Sequence, residues 1–347
     1  MKLKRCAVAL ALTLLVVSTA LLTWAYIPVS LDTGAADTSV VYANRDRSNT
    51  PLFREAYFEH NKLRLHYVEA GNQADEVILF IHGYPSYWFS FIRQMQAFKS
   101  DYRVVAIDGL GAGHSEVPSN LTAYKLEAMT AHVLALIDKL GAEKVHLVGH
   151  DWGAAFAMGF AQRYPKRVHT VTGMSAPPQS IILELLANYP TERKVFAYVE
   201  SLKKANAVFL MALDVQNRIW KSAYSPLLTK GKISEEESEL FRKAAGNPKR
   251  INAHTNWYRA NIPSPEDIQE SDYWPSRKAR ITMPAQFIWG EDDRIITPNV
   301  IKEIHSISDN LTTLPLPDVG HWPHIDRADT VTASIRALIS LRNDNGQ

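Results

Sequence analysis

Apolar and polar positions along the chain fall into three patterns. Two short runs with alternating character, Tyr57-Phe58-Glu59 and residues 63–68, flank His60-Asn61-Lys62 and predict a two-stranded hairpin. Residues 77–81, 102–107 and 144–148 are instead apolar on consecutive positions, which suits strands buried on both faces, as in a parallel sheet covered by helices. The third pattern is helical: Leu126, Met129, Val133, Leu136, Ile137 and Leu140 share one face of a helix over 123–140, and Gly141 stops it. Another strand follows at 168–173, and strand, helix, strand, helix in this rhythm predicts an α/β protein with a mostly parallel, doubly wound sheet.

The rhythm breaks at about residue 176. From there to 278 buried strands vanish, and helical patterns rich in aromatic residues occupy 181–189, 191–204, 207–220, 235–245 and 247–259. Strands resume at 283–290 and 312–319, with a helix between them and a last helix over 328–341. The expected organisation is therefore a core of 51–175 and 279–347, interrupted by a helical cap of 176–278.

Ahead of the core, Lys2, Lys4 and Arg5 precede an uncharged run from residue 6 to residue 31, long enough to cross a bilayer as a helix. Trp24 and Tyr26 near its far end suit a membrane interface, and the positive flank puts the catalytic part on the non-cytoplasmic side. Segment 1–31 thus predicts a single-pass anchor, with a cleaved signal and a secreted or periplasmic product as the alternative. Polar residues 32–50 read as a linker.

Composition narrows the partners. The 347 residues carry a net charge of +2 with no basic patch or recognition motif, so nucleic acid is not expected. Cys6 is the only cysteine, so neither an intrachain disulfide nor a cysteine-based metal site can form.

The candidate chemistry centres on Gly149-His150-Asp151-Trp152-Gly153, where a strand turns into a helix within about three residues. Gly-x-nucleophile-x-Gly is the sharp elbow of α/β-hydrolases, usually with Ser at its centre. A carboxylate there attacks carbon and becomes an alkyl ester, which points to substrates with a strained or departing C–O or C–halogen bond. The plainer alternative is that Asp151 only caps the following helix. His82-Gly83-Tyr84-Pro85 ends the first buried strand and directs the N–H of Tyr84 towards the elbow, where with the N–H of Trp152 it forms an oxyanion hole. His82 itself reads as a loop-holding residue, and the glycines of 108–115 lack phosphate-loop spacing and read as a structural turn. Glu291, Asp292 and Asp293 after a late strand are rivals for an acid, and His321 after the last strand is the base, with His324 its near rival. The order nucleophile, acid, histidine is that of α/β-hydrolases.

His82-Gly83-Tyr84-Pro85, Gly149-His150-Asp151-Trp152-Gly153, Gly290-Glu291-Asp292-Asp293 and Gly320-His321-Trp322 together resemble the motifs of α/β-hydrolase epoxide hydrolases, over residues 53–341. The resemblance implies Asp151 as nucleophile, Asp293 as the acid that orients His321, and two cap tyrosines that protonate the epoxide oxygen. Asn256-Trp257-Tyr258-Arg259 looks like the second tyrosine motif and 195–198 like the first, giving Tyr258 and Tyr198, with Tyr189 and Tyr224 as fallbacks. Trp152, Trp257 and Trp322 are the expected substrate contacts, and an apolar cap containing Phe196, Phe209, Met211 and Trp220 suits a small lipophilic epoxide. The implied reaction makes a vicinal diol from epoxide and water with no metal or organic cofactor. A haloalkane dehalogenase on the same nucleophile, or a non-catalytic binding member of the fold, are the alternatives. Tyr84 and Trp152, where dehalogenase subgroups carry Asn and Arg, favour the epoxide.

Overall fold

The computed structural model describes residues 53–73, 75–204, 220–245 and 248–344. Eight strands form one sheet: β1 (Arg54–His60), β2 (Leu63–Ala70), β3 (Val77–Ile81), β4 (Arg103–Ile107), β5 (Val145–His150), β6 (Val168–Met174), β7 (Ala285–Gly290) and β8 (Leu311–Leu316). Their spatial order is β1-β2-β4-β3-β5-β6-β7-β8. β1 and β2 pair antiparallel, as do β2 and β4, and every other pair is parallel. The hairpin turn places Asn61 and Lys62 at φ of 53° and 63°, the two positive values that a tight two-residue connection needs.

Consecutive apolar residues in the central strands are explained by two cores. Val77, Leu79 and Ile81 face one hydrophobic cluster with the helices Leu126–Lys139 and Trp152–Arg163. Ile78 and Phe80 face the other, with the helices Ile92–Phe98 and Ala328–Asp344. Val105 and Ile107 against Val104 and Ala106 repeat the division in β4. A period of two along each strand therefore feeds both faces, and the sheet is doubly wound.

Helices fill the chain between β6 and β7. Where the sequence pattern predicts one helix over 191–204, two form, Pro190–Val195 and Ala197–Lys203, broken at Phe196. In an unbroken helix, residues two apart point about 200° apart, so Phe196 and Tyr198 could not share a surface. The break lets both line one apolar alcove. The predicted helix over 247–259 is likewise split into Pro248–His254 and Asn256–Asn261. Glu235–Ala245 forms as expected, while the helix expected at 207–220 lies almost wholly outside the described residues. The last strand stops at Leu316, short of the expected residue 319, because the chain turns at Asp318, φ 59°. Segment 1–31 and the linker also lie outside the described residues, among which no helix is long and apolar enough to cross a membrane.

Candidate active site

β5 ends at His150 and the helix Trp152–Arg163 starts one residue later, so Asp151 alone makes the bend. Its backbone sits at φ 52° and ψ −125°, a region that costs a non-glycine residue of order 1–3 kcal/mol. Asp151 N–H donates to the Met174 carbonyl of the neighbouring strand at 2.9 Å, which holds the bend against the sheet. The glycines are steric requirements: a Cβ on Gly149 would collide with the carbonyl of Gly153, and one on Gly153 with that of Ile81. The Asp151 side chain makes no capping hydrogen bond to its helix. The plain N-cap reading is thereby removed, since the carboxylate turns away from the helix.

It turns towards the loop after β3. The Tyr84 N–H donates to Asp151 Oδ1 at 2.8 Å. His82 holds this loop from beneath: its Nδ1–H donates to the Gly83 carbonyl at 2.9 Å, and Nε2 accepts the Gly109 N–H at 3.1 Å. Burial lowers the pKa of His82 and keeps the ring neutral for that arrangement.

The other carboxylate oxygen faces a histidine. His321 Nε2 stands 3.5 Å from Asp151 Oδ2, and its Nδ1 is 2.8 Å from Asp293 Oδ2. Of the three acids in the turn after β7, Asp293 is buried and reaches the ring, whereas Glu291 and Asp292 are exposed. Burial disfavours the imidazolium of His321, but Asp293 and Asp151 outweigh it and push its pKa up to about 10. His324 is packed away beneath the site, its ring stacked on Phe91 at 4.7 Å. Burial, reinforced by His321 and Arg93, takes its pKa down to about 3, so it is a neutral packing residue.

Sequence reasoning missed His150. Its Nε2–H donates to the backbone carbonyl of His321 at 2.7 Å, tying the His321 loop to the elbow. The available signal was a histidine at the C-terminal end of β5, next to Asp151.

Asp151, Asp293, His321, Tyr84, Tyr198, Tyr258 and Trp322 line a cavity of about 820 Å³ among the described residues. The Tyr198 and Tyr258 rings stand 6.3 Å apart at 79°, and Tyr258 meets the rings of Trp152 and Tyr84 edge-on at 5.1 Å and 5.4 Å. Burial pushes the phenol pKa of Tyr258 well above its ordinary value, helped by Tyr198, Asp151 and Tyr84. Tyr198, although 38% exposed, is raised in the same direction by partial desolvation and by Asp151. Both hydroxyls therefore keep their protons across the ordinary pH range. Trp152 lines the alcove behind the cavity with Phe196 and Ile182.

The fallback tyrosines are committed elsewhere, Tyr224 donating to the Pro85 carbonyl at 3.0 Å and Tyr189 to Glu303 at 3.3 Å. Trp257 departs from its expected role as a substrate contact. It is fully buried, donates its indole N–H to the Leu110 carbonyl at 2.9 Å, and stacks on His82 at 5.6 Å. Neighbouring helical residues point about 100° apart, so with Tyr258 on the cavity Trp257 faces the core.

Residues 76–328 match the family described as the alpha/beta hydrolase fold. The chain is 29% identical over 283 residues to Epoxide hydrolase 4 of Mus musculus, covering 80% of this chain and 76% of that one. It is 28% identical over 290 residues to the Epoxide hydrolase of Caballeronia sordidicola, covering 76% and 86%. In structure it superimposes with a TM-score of 0.76 and 25% identity on a Bacillus megaterium epoxide hydrolase variant complexed with its product (R)-3-[1]naphthyloxy-propane-1,2-diol, covering 82% of this chain and all of that one.

Proposed function

The chain belongs to the alpha/beta hydrolase fold family, and from that premise we propose that it hydrolyses an epoxide to a vicinal diol through an ester on Asp151. The observation that carries the reading is the division of labour on one carboxylate. Oδ1 is held by the Tyr84 N–H, and Oδ2 faces the cavity beside His321.

Oδ2 attacks an epoxide carbon and the C–O bond of the ring breaks. Tyr198 and Tyr258 hydrogen-bond the departing oxygen, and one phenol gives it a proton, leaving a hydroxyalkyl ester. Oδ1 is now the ester carbonyl oxygen, already resting on the Tyr84 N–H; the expected second donor, the Trp152 N–H, makes no bond to the free carboxylate and engages only the oxyanion of the tetrahedral intermediate. Esterification also removes a negative charge beside His321. One of the two anions holding its proton is lost, so the imidazolium gives that proton by way of water to the tyrosinate just formed, which restores the phenol and leaves the ring a neutral base that Asp293 keeps oriented. Water, deprotonated by Nε2, adds to the carbonyl carbon, and collapse expels the diol with Oδ2.

Relatives named for epoxide hydrolysis support the substrate class, and the apolar walls of Leu202, Ala223, Pro226 and Leu227 suit a lipophilic one. Membrane attachment through segment 1–31, with this core on the non-cytoplasmic side, belongs to the same proposal and rests on the sequence alone.

The test is a panel of aliphatic and aryl epoxides run beside haloalkanes of the same carbon skeletons. Diol release from epoxides without halide release supports the reading. Halide release alone, or no turnover of any epoxide, rejects it.

A further inference from the structure

Away from the cavity, at the edge of the sheet, Glu55, His66 and His114 each present a ligating atom within 4.8 Å of the others. The register of β1 on β2 sets Tyr57 opposite His66, so Glu55, two residues earlier on the same face, is the diagonal neighbour of His66. His114 comes from the loop after β4, its ring 4.9 Å from that of His66 and only 31° from parallel. The two strands of one hairpin and a loop from later in the chain thus converge on one point.

Two features of this cluster point to a ligand. First, the His66 side chain is wholly buried, and its Nε2 has no hydrogen-bond partner. Glu55 Oε2 stands 3.8 Å from it, close enough for an ion pair with a charged ring but beyond hydrogen-bond range. An orphaned nitrogen of this kind carries a desolvation cost that a ligand would remove. Second, the opposite nitrogen is fixed as metal-binding histidines usually are, by an outer carboxylate. His66 Nδ1–H donates to Asp108 Oδ2 at 2.7 Å, and the same oxygen accepts the backbone N–H of His114 at 3.0 Å. Asp108, buried and anchored through Oδ1 by the Trp88 N–H at 2.8 Å, therefore fixes the His66 ring and the backbone of the loop that carries His114.

We propose that Glu55, His66 and His114 bind a divalent first-row transition ion of the zinc type, with His66 Nε2 as the inner ligand and water completing the shell. Two imidazoles and one carboxylate suit zinc better than magnesium or calcium, which prefer oxygen. Bonds of about 2.0–2.1 Å put tetrahedral ligand atoms about 3.4 Å apart, so the exposed Glu55 side chain swings inward to close the site. The charged groups around the site are Glu55 and Asp108, with Arg250 close enough to feel Asp108. Binding ties the β1–β2 hairpin to the loop after β4.

The experiment is calorimetric titration of zinc chloride into the full chain, carrying Cys6→Ser so that the lone thiol cannot compete. One saturable equivalent is expected, weakened more than about tenfold in both Glu55→Gln and His114→Ala. The thermal midpoint should rise with excess zinc in the parent protein alone, and magnesium should leave it unmoved. Cobalt(II) in place of zinc should give a visible absorption spectrum that both substitutions abolish. No saturable zinc binding, or binding undiminished by either substitution, overturns the proposal. None of these side chains takes part in epoxide opening, so that reading is judged separately by diol release.

Discussion

His321 Nε2 lies 3.5 Å from Oδ2 of Asp151, on the carboxylate whose other oxygen is already bonded to a backbone N–H. The two oxygens are thereby made chemically distinct before any substrate arrives. In the proposed reaction Oδ1 is held where the oxyanion forms, and Oδ2 is the one that bonds to carbon.

Replacing the base separates the two half-reactions. His321→Gln leaves Oδ2 able to open an epoxide but deprives water of its base, so steady-state turnover should fall by about 10²–10⁴. The protein should gain the mass of one substrate molecule, and peptide mapping should place it on Asp151. An unmodified protein after prolonged incubation would show that no ester forms.

The route of the oxygen atoms follows from the same division. In a single turnover in ¹⁸O-enriched water, the label should enter the Asp151 carboxylate, because the diol departs with the original Oδ2. Label in the first-formed diol would mean direct attack of water on the epoxide.

Tyr258→Phe should slow ester formation by about 10²-fold while leaving ester hydrolysis unchanged, since the phenol is needed only when the ring oxygen leaves. Stopped-flow measurement of tryptophan fluorescence, with Trp152 edge-on to Tyr258 at 5.1 Å, can follow the two phases. Equal slowing of both phases would contradict the role.

The pKa of His321, raised from 6.5 to about 10, makes a pH-dependent contribution to stability. A folded-state pKa above the unfolded one means the native state binds the proton more tightly. The contribution is therefore complete below pH 6.5 and disappears as pH rises towards 10. Denaturant titration of the parent and of His321→Gln should give a stability difference that shrinks steadily across that window. A difference that grows with pH would refute the assignment of the two carboxylates as its partners.

Gly153→Ala should destabilise the fold by at least about 1–3 kcal/mol, because the added methyl meets the Ile81 backbone, which cannot swing aside. Thermal denaturation measures it. A midpoint equal to the parent's would show that the elbow is wider than described.

Much of the fold was legible because its signals are local. Consecutive apolar residues such as those of β3 are required of any strand covered on both sides, and Gly149 and Gly153 mark a bend that no other residue allows. Less legible were the breaks in the cap. Helical spacing continues across Phe196 and Thr255, and the interruption there depends on which side chains must face the cavity and which the core.

Tryptophan and histidine show the same limit from the side of chemistry. Trp257 and Trp322 are equally plausible substrate contacts by residue type, yet one is stacked on His82 under the loop and the other borders the cavity. His150, His321 and His324 are alike in sequence, and only packing makes them a tether, a charged ring and a neutral filler.

The order of the candidate nucleophile, acid and histidine, the α/β class and the presence of an intervening helical segment were determined by the chain alone, since each rests on residue type and short-range periodicity. Which acid reaches the histidine, which tyrosines face the carboxylate, and the meeting of Glu55 with His66 and His114 were decided by tertiary structure. Those are distances between segments far apart in the chain, set by strand register and by how the cap helices pack.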